Sequence, residues 1–110
     1  MGNIVNEQVE SSELVGKASA EQIAQWKKEY GQIFEITADN KVCYLRKPSR
    51  QILGYAMTQY KQPLKMTETL LNNCFIGGCE DFKTDDDLFM GINLRIEELI
   101  SVKQVELAKL

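Results

Sequence analysis

The feature that most narrows the folds open to this chain is the uninterrupted stretch Val42-Cys43-Tyr44-Leu45-Arg46-Lys47-Pro48-Ser49-Arg50. β-branched and aromatic residues predict a strand as far as Arg46, and Pro48, which has no N–H to give to a ladder, ends it. Ser49 then offers a hydroxyl to the free N–H groups of a helix that starts at once. Upstream, the run Gln32-Ile33-Phe34-Glu35-Ile36-Thr37 is separated from residues 41–46 by Ala38-Asp39-Asn40, a turn composition, so the two runs are read as a hairpin. In its second strand Val42 and Tyr44 alternate with Cys43 and Leu45, which leaves neither face polar and predicts cover on both. A lone hairpin is marginal in water, so it has to pack on helices or pair with another edge.

The helices announce themselves by their caps. Ser19 with Gln22 forms a capping box ahead of a helix over 20–30, with Ile23, Trp26, Lys27 and Tyr30 on one face and Gly31 ending it. After Ser49, a helix over 49–60 places Ile52, Leu53, Ala56, Met57 and Tyr60 on one stripe. Pro63 suits the first turn of the next helix, 63–75, whose buried side is Leu64, Thr67, Leu70, Leu71 and Cys74, and Gly77-Gly78 ends it and opens a loop. Thr84 is placed to cap the last helix, with Asp85, Asp86 and Asp87 at the positive end of its dipole. Its apolar stripe, Leu88, Phe89, Ile92, Ile96, Leu99, Ile100, Val102, Val105 and Leu107, runs nearly to the C-terminus. Such a helix is about 24 residues, roughly 36 Å, and is expected to project as a frayed tail or a surface for another subunit.

The fold class expected is α+β: a small two-stranded antiparallel hairpin packed with about four helices in the order αββααα, ending in a long C-terminal helix. Residues 1–18 show no sustained period and read as a flexible arm, and 19–110 as a single domain.

Composition bears mainly on what to exclude. The chain has 110 residues, 44% apolar and 26% charged, the balance of a globular domain. No apolar run approaches the ~18 residues of a membrane span and no secretory signal is visible, so a cytoplasmic protein without a membrane partner is expected. There is no histidine. Histidine-based nucleophilic catalysis and imidazole metal sites therefore fall. Cys43, Cys74 and Cys79 are an odd number and read as free thiols. Asp85, Asp86 and Asp87, about 100° apart on a helix, cap it rather than converge on a cation. Gly77-Gly78 lacks the Lys-Ser/Thr of a phosphate loop. No catalytic, cofactor-binding or metal-binding residue is assigned, no cofactor is expected, and the expectation is a protein that is not an enzyme.

Charge is uneven along the chain. Residues 1–25 sum to −3, residues 26–65 to +5 and residues 66–110 to −5. The basic middle, with Arg46, Lys47 and Arg50 at its corner, either solvates its own surface against the acidic last helix or docks an acidic protein. Nucleic acid is disfavoured by the acidic total. The candidate partner-binding residues are Arg46, Lys47 and Arg50 at the corner, and Leu99, Val102 and Leu107 on the last helix. A homo-oligomer through that helix or a hairpin edge is a further expectation.

The order of hairpin, Arg46-Lys47-Pro48-Ser49-Arg50 corner, apolar helix, Leu70-Leu71-Asn72-Asn73-Cys74, Gly-Gly loop and final helix resembles the small tail assembly chaperones of bacteriophages and prophages, over roughly residues 20–108. The resemblance implies a non-enzymatic protein that binds tape-measure or tail-tube proteins and keeps them soluble during tail assembly. The N-terminal arm has no counterpart in that pattern. A small cytoplasmic adaptor or regulatory protein-binding domain is the alternative.

Overall fold

The strand that anchors the sequence also anchors the fold. In the computed structural model, which describes residues 14–100 and 104–110, strand β2 (Lys41–Arg46) lies at the centre of a three-stranded antiparallel sheet, between β1 (Ile33–Ala38) and β3 (Phe75–Gly78). Val42, Cys43, Tyr44 and Leu45 are all buried, so both faces of the central strand are covered. β1 (Ile33–Ala38) joins it through a two-residue turn at Asp39-Asn40, and Ala38 belongs to the strand rather than to the turn. The architecture is α+β, with a third strand beyond the expected hairpin.

That strand, β3 (Phe75–Gly78), occupies the residues read as a helix end and loop. It follows directly on α3 (Pro63–Cys74) and pairs with β2 through Leu45↔Phe75, Tyr44↔Gly77 and Cys43↔Gly78, with a bulge between Tyr44 and Leu45. Glycine has low β propensity, yet here it lets two backbones and a tryptophan approach closely. A Cβ on Gly77 would lie 2.7 Å from the Trp26 ring.

Each face of the sheet has its own cover. Directly opposed residues share a face, which puts Phe34 and Ile36 with Leu45 and Cys43. That face meets the main core: Ala56 of α2 (Arg50–Met57), Leu70, Leu71 and Cys74 of α3, Phe82 of the short α4 (Asp81–Thr84), Leu88 and Ile92 of α5 (Asp86–Arg95), and Ile96 and Leu99 of a 3-10 turn (Ile96–Ile100). The other face carries Tyr44, against which Trp26 of α1 (Ala20–Tyr30) packs with ring centroids 5.2 Å apart.

The Ser19 and Ser49 hydroxyls cap their helices as expected, accepting from the N–H groups of Gln22 at 3.1 Å and Ile52 at 3.2 Å, without the reciprocal bond from Ser19 N–H to the Gln22 side chain that a full capping box would add. The last cap differs: Asp85, not Thr84, accepts from Asp87 and Leu88 at 2.9 and 3.1 Å, while Thr84 ends α4. A carboxylate there accepts two N–H groups and meets the helix dipole, which a hydroxyl does less well. α2 stops at Met57 rather than at residue 60, and Met57 and Tyr60, expected on its apolar stripe, and Leu64, expected on the buried side of α3, are exposed. In α1 the half-buried face is Ile23, Trp26 and Tyr30, and Lys27 is exposed.

The C-terminal helical run starts at Asp86 and tightens into the 3-10 turn ending at Ile100. The expected extension toward residue 107 is not seen among the described residues, since 104–110 carry no secondary structure. Among the described residues nothing buries Val105 and Leu107, which are 85% and 96% exposed, and helix propensity alone rarely holds so short a piece. Most of the proposed arm, residues 1–13, lies outside the described residues. Residues 14–18 are held: Val15 donates to the Asn40 carbonyl at 2.7 Å and accepts from Val42 N–H at 2.8 Å, bridging in parallel to Lys41.

Candidate functional site: a groove beside an open sheet edge

β1 pairs only with β2, so its outer edge is unpaired among the described residues. Lys47 N–H donates to the Gln32 carbonyl at 3.2 Å, which makes the pair 32/47 a hydrogen-bonded one. Such pairs alternate along an antiparallel ladder, so in the register Phe34↔Leu45, Ile36↔Cys43 the inward bonds belong to Phe34, Ile36 and Ala38. Ile33, Glu35 and Thr37 therefore aim their backbone N–H and C=O groups outward. Alongside that edge runs a groove of about 490 Å³, bounded by Phe34–Ala38 on one side and by Leu88, Ile92 and Leu99 on the other, with Phe82 between. Glu35, Asp87, Arg95 and Glu98 supply its charges, the last two paired with each other, Arg95 Nη2 to Glu98 Oε1 at 3.1 Å. This combination can take an extended segment: backbone groups along β1 and apolar side chains into the groove.

The edge strand is held from its other face. Glu35 accepts from the Lys17 ammonium at 2.8 Å and from the Tyr44 hydroxyl at 2.9 Å, and that hydroxyl accepts from Ala18 N–H at 3.1 Å. Lys17, then Tyr44, hold the Glu35 carboxyl below its usual range, against partial burial that pulls it up. The sign of the linkage follows. A depressed acid stabilises the fold above its unfolded pKa of about 4.3 and loses that contribution as pH falls through the lower, folded value. In thermal melts the variant Glu35→Gln is therefore expected to flatten the acid limb of Tm against pH while leaving the neutral shape intact. An unchanged acid limb would mean the cluster does not hold β1.

The basic corner is less organised. Arg46 lies over the Tyr30 ring, 4.9 Å from its centroid, and Lys47 and Arg50 are exposed. None of the three forms an ion pair among the described residues. Of the apolar candidates, Leu99 is 4% exposed and belongs to the core, because the 3-10 turn rotates it inward. Val102 lies outside the described residues. Leu107 is exposed. The groove brings together none of the corner residues and only Leu99 of the apolar ones. Its other walls come from segments some fifty residues apart, which no local pattern links.

The thiols are internal. Burial, assisted by the neighbouring Cys79, pushes Cys43 up to about 12, and burial pushes Cys74 up to about 11 against the opposing pull of Arg46. Protonated, buried thiols of this kind are unreactive packing groups. Among the described residues no three His, Cys, Asp or Glu side chains gather as a metal site, and no described helix is long and apolar enough to cross a membrane. No family model, curated protein or solved structure matches this chain.

Proposed function

We propose that this chain is a non-enzymatic, cytoplasmic protein-binding module that holds an extended client segment along β1, in the manner of the phage tail assembly chaperones its sequence resembles. The clients of that reading are tape-measure or tail-tube proteins. The observation that carries it is the groove of about 490 Å³ beside an unpaired strand edge. A chaperone has to protect apolar segments without one fixed sequence, and an edge strand does so through backbone bonds that any sequence offers.

Co-expression with the tape-measure protein, and separately the tail-tube protein, encoded nearest to this chain tests the proposal. A several-fold rise in soluble client, with co-purification, is expected. Thr37→Pro should abolish it. Its N–H points away from the ladder, so proline there blocks edge pairing at little cost to the sheet, which circular dichroism checks. Clients that stay insoluble beside the folded wild-type chain would end this reading.

A second reading rests on the unpaired corner charges. An adaptor that docks an acidic protein through Arg46, Lys47 and Arg50 would lose its partner in the double variant Arg46→Glu, Arg50→Glu and in high salt, and would be indifferent to Thr37→Pro.

A further inference from the structure

The segment Gln104–Leu110 presents an unresolved chemistry of its own. Val105, Leu107 and Leu110 are 85%, 96% and 116% exposed, the most exposed of the large apolar side chains. Val105 and Leu107 stand two apart with Glu106 between them, the spacing that places both on one face of an extended strand. Nothing among the described residues covers them. The groove beside β1 is the complementary feature: an open edge of six residues, apolar walls, and a single rim carboxylate, Asp87, that forms no ion pair among the described residues.

We infer that residues 104–110 of a second copy of this chain add as a strand to the outer edge of β1 and seat Val105 and Leu107 in the groove. The lengths agree, since six or seven extended residues span about 20 Å on either side of the pairing. The charges can be matched as well: strand alternation puts Lys109 on the same face as Val105 and Leu107, toward the groove that Asp87 lines, and Glu106 on the opposite face. The outward groups of Ile33, Glu35 and Thr37 then gain the partners they lack among the described residues. Two chains that exchange these segments reciprocally close into a dimer, and chains that pass them onward form open oligomers. The inference stands with or without a client, although a client on β1 would have to displace the segment.

Sedimentation equilibrium of the full chain, without client, over a concentration series into the hundreds of micromolar tests it. Wild type is expected to self-associate, and Leu107→Asp to raise the dissociation constant by ~10–100-fold, the equivalent of one leucine left unburied. Because Leu107 is 96% exposed, its replacement is expected to leave the melting temperature of the monomer in place. Thr37→Pro should weaken association likewise. A wild-type chain that stays monomeric throughout, as it would if its own segment filled its own groove, overturns the inference. So does an oligomer that Leu107→Asp leaves intact, since a different surface would then hold it.

Discussion

Gly78→Ala is expected to cost about 3–5 kcal/mol of stability, enough to leave a domain of this size mostly unfolded well below the wild-type melting temperature. Gly78 has φ +103°, and a Cβ added there would stand 2.5 Å from Cys43 Cα and 2.6 Å from the Val42 carbonyl oxygen. Both are backbone atoms of the central strand, so no side chain can rotate aside to relieve the contact. Backbone strain and overpacking each contribute about 1–3 kcal/mol in such a place. Urea titration should show a lower midpoint with the slope preserved, the mark of lost stability rather than a changed unfolded state. Two controls sharpen the result. Gly77→Ala meets only the Trp26 ring, at 2.7 Å, which sits on a half-buried helix and is freer to shift, so it should cost less. Gly54→Ala, in α2 with nothing within 4 Å, should be neutral or gain up to about 1 kcal/mol from helix propensity. Equal effects at all three positions would contradict the pairing of β3 with β2.

The same residues show where sequence reasoning reached its limit. Local signals were legible: Ser19 and Ser49 cap the helices they precede, Pro63 opens α3, and the central strand has the bounds Lys41–Arg46. Each is decided by chemistry within four residues. Phe75–Gly78 was not legible as a strand because its two glycines lack the side chains from which β propensity arises; the tertiary approach of β2 and Trp26 selects them. Asp85 competed with Thr84 for one helix start, and the sequence pattern does not rank two adjacent capping residues. The groove was further from view. Its strand wall is the face of a hairpin and its helical wall lies on α5 and the 3-10 turn, and only the sheet order shows that β1 is an edge strand rather than a central one. The basic corner had the opposite history, conspicuous in the sequence but, among the described residues, without ion pairs in the structure, as solvated charges commonly are.

The second large effect is expected at Phe82, and it separates core from surface on the side of the molecule where the sequence confused them. Phe82 is 1% exposed, lies on a four-residue helix that could not persist alone, and joins the sheet-facing core while lining the groove. Phe82→Ala removes a whole buried ring from the core beneath the groove, where α4 packs on α5 and α3. A loss of about 3–5 kcal/mol is expected. At roughly 4–8 °C per kcal/mol for a domain near this size, the melting temperature should fall by tens of degrees. Leu99→Ala should behave in the same way at about 2–5 kcal/mol, since its side chain is core. Leu94→Ala, 81% exposed on α5, should fall within about 0.5 kcal/mol of wild type. Measured together by urea titration of the monomer, this series distinguishes two arrangements of the C-terminal helical run. If the apolar stripe continued outward as a projecting surface, Leu99 would melt like Leu94. If the run turns inward at Ile96, as the 3-10 segment does, Leu99 falls with Phe82, and the groove keeps its second wall only while both are in place.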